Sequence, residues 1–227
     1  TNLYYNGSLG SKIATSFEGT EAYRFGSEYE FYAVRYAWIF IENVHKVPDM
    51  TDGMKRQRVA EAKLIIAIAY YELLKYMGGV PIIDHAVQVN EVFRFPRATF
   101  EETVEFIVRL IDEAKQPLPW KASYGDDGRM TRSGALGLKV RVLLHAASPT
   151  FNSNEKWHPQ ADKYTCYGNY DRERWKRVID TAEEFLSEVG ITMVMPEEDT
   201  FEARQKAFRK SYYERFNGEI LISTRRG

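Results

Sequence analysis

Four histidines, one cysteine and a few carboxylate pairs are the residues whose types could do chemistry here, and their spacing argues against it. His45, His85, His145 and His158 sit in four separate segments with no HxxxH or HExxH spacing, so no helix face gathers two imidazoles for a metal. Cys166 stands alone, which rules out an intrachain disulfide and a thiolate cluster, and its KYTCYG setting lacks the company of a catalytic thiol. Gly78-Gly79 is not followed by the Lys-Ser/Thr of a phosphate loop, and no GxSxG elbow occurs. Asp126-Asp127-Gly128 touches the pattern of a calcium loop but lacks its alternating oxygen ligands, so it reads as a polar turn. Glu101-Glu102 and Glu197-Glu198 fall at expected helix starts, where negative charge favours the macrodipole. Nothing in this pattern argues for catalysis.

Composition narrows the classes further. Thirty-one basic side chains face 32 acidic ones, so the chain carries no electrostatic footprint for nucleic acid. Fifteen tyrosines supply flat apolar faces that each carry one hydroxyl, which suits sugar rings and protein interfaces alike. The opening TNLYYNGSLG has no charged region followed by an apolar core, so no targeting segment is expected in it.

The elements that must hold any site are helices. Ala60–Pro81 reads as one long helix from about residue 55 to 77, with Leu64, Ile65, Ile68, Leu73 and Leu74 spread round its circumference. Such a helix is buried among others. Lys63, Glu72 and Lys75 interrupt it too often for a bilayer span. Gly78 and Pro81 end it, the glycine because it tolerates a left-handed backbone. Tyr29, Tyr32, Ala33, Tyr36, Phe40 and Val44 recur at helical spacing and predict an amphipathic helix over 29–45. Thr99 and Glu102 form a capping box ahead of a helix that stops by Pro117. Thr131 caps a helix running to Ser148-Pro149, and its Gly134, Ala135, Gly137, Ala146 and Ala147 predict close approach of a neighbouring helix. Trp175 to Val189, closed by Gly190, marks a fifth helix, and about 201–212 a sixth. Asn217-Gly218 turns into a strand-like end over 219–224. Helix starts near 29, 99 and 171 recur at an even interval, roughly twice the ~34 residues of a tetratricopeptide repeat. The expected fold is mainly α: tetratricopeptide-like antiparallel helix pairs with long irregular loops, in an α-α superhelix.

Four segments, in order, resemble the SusD/RagB family of glycan-capturing lipoproteins of Gram-negative outer membranes. They are YAVRYAWIFIENV (32–44), AEAKLIIAIAYYELLKYMGGVPII (60–83), RATFEETVEFIVRLIDEAKQPLP (97–119) and GRMTRSGALGLKVRVLLHAASPTFN (128–152). EILIS (219–223) is similar to a strand that follows in the family. Trp38 stands where the family pattern has Asn, and Ile66 where it has Arg, which leaves Glu61 without the Arg expected five residues on.

The resemblance implies that 1–227 is a single N-terminal helical domain, a fragment of a chain about twice as long. It implies non-catalytic binding of oligosaccharide or polysaccharide at the cell surface. It also implies delivery to a TonB-dependent, SusC-like transporter, and a lipid anchor on a Cys outside this chain. No cofactor is expected; a structural calcium ion in a loop stays open as the alternative. Glycan contacts vary between family members, so none carries over by motif. Aromatic planes that can meet the C–H faces of sugars are the candidates: Tyr23, Trp120, Tyr124, Trp157 and Tyr167 in loops, with Phe25, Tyr164 and Tyr170 beside them, and Trp38 for its departure from the pattern. Two further readings stand alongside. A tetratricopeptide-type adaptor would bind peptides in its groove, and a helical glycoside hydrolase would need two carboxylates about 5–9.5 Å apart.

Overall fold

The structure, a computed structural model, describes residues 29–88, 90–92, 94–189, 193–214 and 217–222. Of Tyr29, Tyr124 and Val189 it describes the backbone only. Among these residues there are six α-helices and no strand: α1 Tyr29–Asn43, α2 Asp52–Met77, α3 Phe100–Lys115, α4 Arg132–Ala147, α5 Arg172–Val189 and α6 Phe201–Tyr213. One isolated antiparallel bridge joins Pro81 and Arg97. From α1 to α5 each helix packs on the next, which is the tetratricopeptide-like architecture expected.

Local chemistry sets the helix ends. The Thr51 hydroxyl accepts from the Met54 N–H, so α2 starts at Asp52, three residues before the expected start. At α3 the capping box is complete: the Glu102 N–H donates to Thr99 Oγ1 at 3.1 Å, and the Thr99 N–H donates to Glu102 Oε2 at 2.7 Å. The Thr131 hydroxyl accepts from the Gly134 N–H at 3.1 Å, as expected for α4. Thr200 caps α6 in the same way. Gly190 lies outside the described residues.

Helix α2 is the centre of the stack. Leu64, Ile66, Tyr70, Leu73 and Leu74 are buried on it, while Ile65 is exposed mid-helix. Tyr70 is fully buried yet satisfied. Its hydroxyl accepts from the Ile83 N–H at 2.7 Å and donates to the Pro81 carbonyl at 3.0 Å, which pins the segment after α2 to the helix. Burial pushes that phenol up to about 12.

Three expectations change. Helix α1 forms where the spacing puts it, but it buries the other stripe: Val34 and Ala37 are in the core, Phe31, Trp38 and Ile41 pack against it, and Tyr32, Tyr36 and Phe40 are exposed. The helix is apolar on two sides, and a period alone does not say which side α2 covers. Ala135, Ala146 and Ala147 of α4 are buried in the helical core, but Gly134 and Gly137 make room for a chain segment rather than a helix. A Cβ on Gly134 would lie 2.7 Å from the Leu221 carbonyl oxygen, and one on Gly137 would lie 2.6 Å from Leu221 Cδ1. Residues 219–222 form a turn and bend rather than a strand, and 223–224 lie outside the described residues.

Candidate functional site

The connection between α4 and α5, residues 148–171, is the long loop best placed to display side chains, and it is stitched together from its two ends. Asn152 is buried. Its Nδ2 donates to the Asp171 carbonyl at 2.9 Å, and its Oδ1 accepts from the Asp171 N–H and from Arg174 Nη1, both at 2.8 Å. The Tyr167 N–H donates to the Phe151 carbonyl at 3.1 Å. Asp162 turns the chain, accepting on Oδ1 from the Tyr164 N–H and on its carbonyl from the Thr165 and Cys166 N–H groups. Inward, Phe151 stacks on Phe100 with ring centroids 4.8 Å apart, Tyr167 meets Phe100 edge-on at 5.1 Å, and Ala161 and Cys166 are buried.

Two backbone contacts dock this loop on the scaffold. The Gly79 N–H donates to the Tyr164 carbonyl at 2.6 Å, and the Phe100 N–H donates to the Lys163 carbonyl at 2.9 Å. The docked loop accounts for Gly78, and the Ala98-Thr99 backbone accounts for Gly79. A Cβ on Gly78, whose φ is +72°, would lie 2.2 Å from the Tyr164 oxygen, and one on Gly79 would lie 2.1 Å from the Ala98 oxygen. Gly78 therefore ends the helix and also clears space for the loop.

Outward, the loop shows Trp157 at 56% exposure and Tyr170 at 52%. The Trp157 ring lies 5.7 Å from that of His158, and the Tyr170 N–H is held by Asn154 Oδ1 at 2.9 Å. An exposed indole and phenol among Asn, Lys and Glu side chains can stack on C–H faces and hydrogen-bond hydroxyls.

The remaining candidates sit differently. Tyr167 is in the same loop but half-buried. The Arg174 guanidinium lies 3.5 Å over its ring, and burial pushes its hydroxyl up to about 12. Trp120 is half-buried under the Arg132 guanidinium at 4.3 Å, with its carbonyl accepting from the Ser133 hydroxyl. Trp38 is half-buried on α1, its indole N–H donating to the Ile83 carbonyl at 2.9 Å. Tyr124 opens a 3-10 turn, Tyr124–Asp126, with its side chain outside the described residues, and Tyr23 and Phe25 lie outside them altogether. The structure thus brings Trp157, Tyr164, Tyr167 and Tyr170 into one loop and leaves Trp38 and Trp120 on other elements.

Sequence reasoning missed the groove between α1 and α2, about 440 Å³, walled by Tyr36, Phe40 and Ile65 and ending at Arg58, Glu61 and Arg129. Its signal was the stripe of Tyr36 and Phe40 on α1, which is exposed rather than in the core. In the Asp126 turn, Oδ2 accepts from the Ser123 hydroxyl at 2.8 Å, and Arg129 lies 3.9 Å from Oδ1. Among the described residues no three His, Cys, Asp or Glu side chains gather where they could hold a metal ion.

Comparison with known proteins decides the family. A SusD-like family described as starch-binding and associating with the outer membrane matches residues 4–144. The chain belongs to this family. Among solved structures, a SusD-like protein of Bacteroides fragilis superposes with a TM-score of 0.66 at 21% identity, over 88% of this chain and 33% of that one. The protein BT4246 superposes with 0.65 at 23% identity, over 79% and 32%. A structure solved with xylogluco-oligosaccharide superposes with 0.55 at 21% identity, over 73% and 29%. These likenesses show the fold, and this SusD-like chain spans about a third of the length of those proteins. No curated protein matches it.

The two departures from the SusD-like pattern resolve physically. Trp38 supplies a polar contact of its own through the Ile83 carbonyl. Ile66 is fully buried in the core, and Glu61 takes its cations from elsewhere: Arg58 Nη1 at 2.7 Å and Arg129, which donates from Nε at 3.0 Å and from Nη2 at 2.7 Å.

Proposed function

We propose that this chain is the scaffold-and-loop part of a non-catalytic glycan-binding protein of the outer-membrane surface, anchored by lipid and passing oligosaccharide to a TonB-dependent, SusC-like transporter. Family membership over residues 4–144 carries the reading. The related fold solved with xylogluco-oligosaccharide supports the ligand class. The loop displaying Trp157 and Tyr170 offers the kind of aromatic face that a pyranose ring covers. Among the described residues no helix is long and apolar enough to cross a membrane.

Isothermal titration against plant, host and microbial oligosaccharides tests this. We expect one glycan class to bind, and Trp157→Ala to weaken that binding at least about tenfold, which is roughly 1.4 kcal/mol, with the melting temperature unchanged. Absence of glycan binding together with tight binding of a peptide would favour the adaptor reading instead. Reducing-sugar release on long incubation would overturn the non-catalytic part.

A further inference from the structure

His85 lies in the segment that joins α2 to α3, partly exposed, and both of its ring nitrogens face carboxylate oxygens. Nδ1 is 2.9 Å from Asp84 Oδ1, and Nε2 is 2.9 Å from Glu91 Oε1. An imidazole carries two N–H donors only when protonated. A neutral ring would set a lone pair against one of these oxygens at hydrogen-bond distance. The second oxygen of Glu91 accepts from the Gln88 N–H at 3.0 Å, and the Glu91 N–H donates to the Gln88 carbonyl at 3.1 Å. The Gln88 side-chain amide in turn donates to the Ala86 carbonyl at 2.8 Å. The ring thus closes the turn between Asp84 and Glu91. Helix α1 holds the near side of that turn: Arg35 Nη1 donates to the Val87 carbonyl at 2.9 Å, and Glu42 Oε1 accepts from the Ala86 N–H at 2.8 Å.

We propose that His85 is a pH-operated latch: protonated, it ties Asp84 to Glu91 and keeps this turn closed beside α1, and loss of its proton releases the Glu91 arm. The charges around it favour the closed state. Asp84 and Glu91 face the ring directly, Arg35 and Glu42 on α1 are engaged with the turn's backbone, and Arg109 on α3 acts on Asp84. Phe95 lies against the ring at 5.9 Å and carries no charge. The hydrogen bonds to Asp84 and then to Glu91 raise the imidazole above its ordinary value. A group raised in the folded state stabilises it fully below the unfolded value and loses that contribution as pH rises through the folded one. The His85 tie is therefore made in mild acid and is lost on the alkaline side of the ordinary imidazole range.

Proton NMR titration of the four histidines, with amide hydrogen exchange expressed as protection factors, tests the latch. His85 should titrate above the ordinary value of about 6.5, and Asp84→Asn/Glu91→Gln should return it there. Protection at Gln88 and Glu91 should fall about threefold or more across the His85 titration, and His85→Gln should show no such step. An ordinary pKa for His85 in the unmodified protein, which needs no variant to measure, overturns the proposal. So does a protection step that survives in His85→Gln.

Discussion

Three charge-assisted hydrogen bonds converge on Glu61, and replacing it by Gln tests whether they hold the segment before α4 to α2. The acceptors are its two oxygens, the donors are Arg58 and Arg129, and the distances are 2.7, 3.0 and 2.7 Å. The Glu61 side chain is 12% exposed, while that of Arg129 is 36% exposed. Bonds to charged groups stabilise by about 1.5–3 kcal/mol each, but partly solvated guanidiniums and the cost of desolvating the carboxylate reduce the total. Glu61→Gln keeps the volume and points an amide N–H₂ at a guanidinium, so we expect a loss of about 2 kcal/mol. Arg129→Gln should cost about 1 kcal/mol, because Arg58 remains. The double variant should show a coupling of about 1 kcal/mol. Urea denaturation followed by far-ultraviolet circular dichroism reads these losses as midpoint shifts at constant slope. The pair Lys176–Asp180, 60% and 54% exposed, is the internal contrast and should show a coupling of at most about 0.5 kcal/mol. A Glu61→Gln protein within about 0.5 kcal/mol of the original, or a Glu61–Arg129 coupling no larger than that of the exposed pair, would refute the reasoning.

Gly79→Ala should destabilise by about 2–3 kcal/mol, since its Cβ would meet the Ala98 oxygen at 2.1 Å and the Thr99 carbonyl carbon at 2.6 Å, both backbone atoms that cannot swing aside. Gly53→Ala, in the first turn of α2 with Thr51 Oγ1 its nearest neighbour at 4.0 Å, is the control and should leave stability unchanged or raise it by up to about 1 kcal/mol in thermal melts of the two variants. His145 has a buried Nε2 without a partner and lies between Tyr71 and Phe151; burial, and then the Lys75 charge, lower its pKa. A lowered folded value means that its contribution is present above the unfolded value of about 6.5 and is lost as pH falls. The stability of the original protein relative to His145→Gln should therefore fall between pH 7 and pH 5, and a difference constant over that range would count against a neutral buried imidazole.

What was legible in the sequence is what is local. Thr99 with Glu102, Thr131 before Arg132, and Gly78 before Pro81 declare helix ends through chemistry confined to four or five residues, and the structure bears each of them out. The buried nature of α2 was legible for the same reason, because its apolar residues run almost all round. The misreadings share a different cause. Tyr32 and Tyr36 have the same helical period as the buried Val34 and Ala37, so choosing between the faces of α1 requires knowing where α2 lies. Glu61 meets Arg129 from 68 residues away, and no spacing rule reaches that far. The glycines of α4 were read correctly as a close approach, but the approaching group is Leu221.

The display surface and the scaffold are not separable. The loop carrying Trp157 and Tyr170 rests on Gly79 at the end of α2 and on Phe100 at the start of α3, through the Tyr164 and Lys163 carbonyls. Trp157 is itself exposed, and the bonds that dock the loop come from the Tyr164 and Lys163 carbonyls. Two substitutions should therefore part company. Trp157→Ala should remove glycan affinity and leave unfolding unchanged. Gly79→Ala should lower both, because it pushes on the backbone that seats the loop. If Gly79→Ala lost about 2 kcal/mol of stability while glycan affinity stayed as before, the loop on this seat would not be the binding face, and the groove beside Tyr36 and Phe40 would be the next surface to probe.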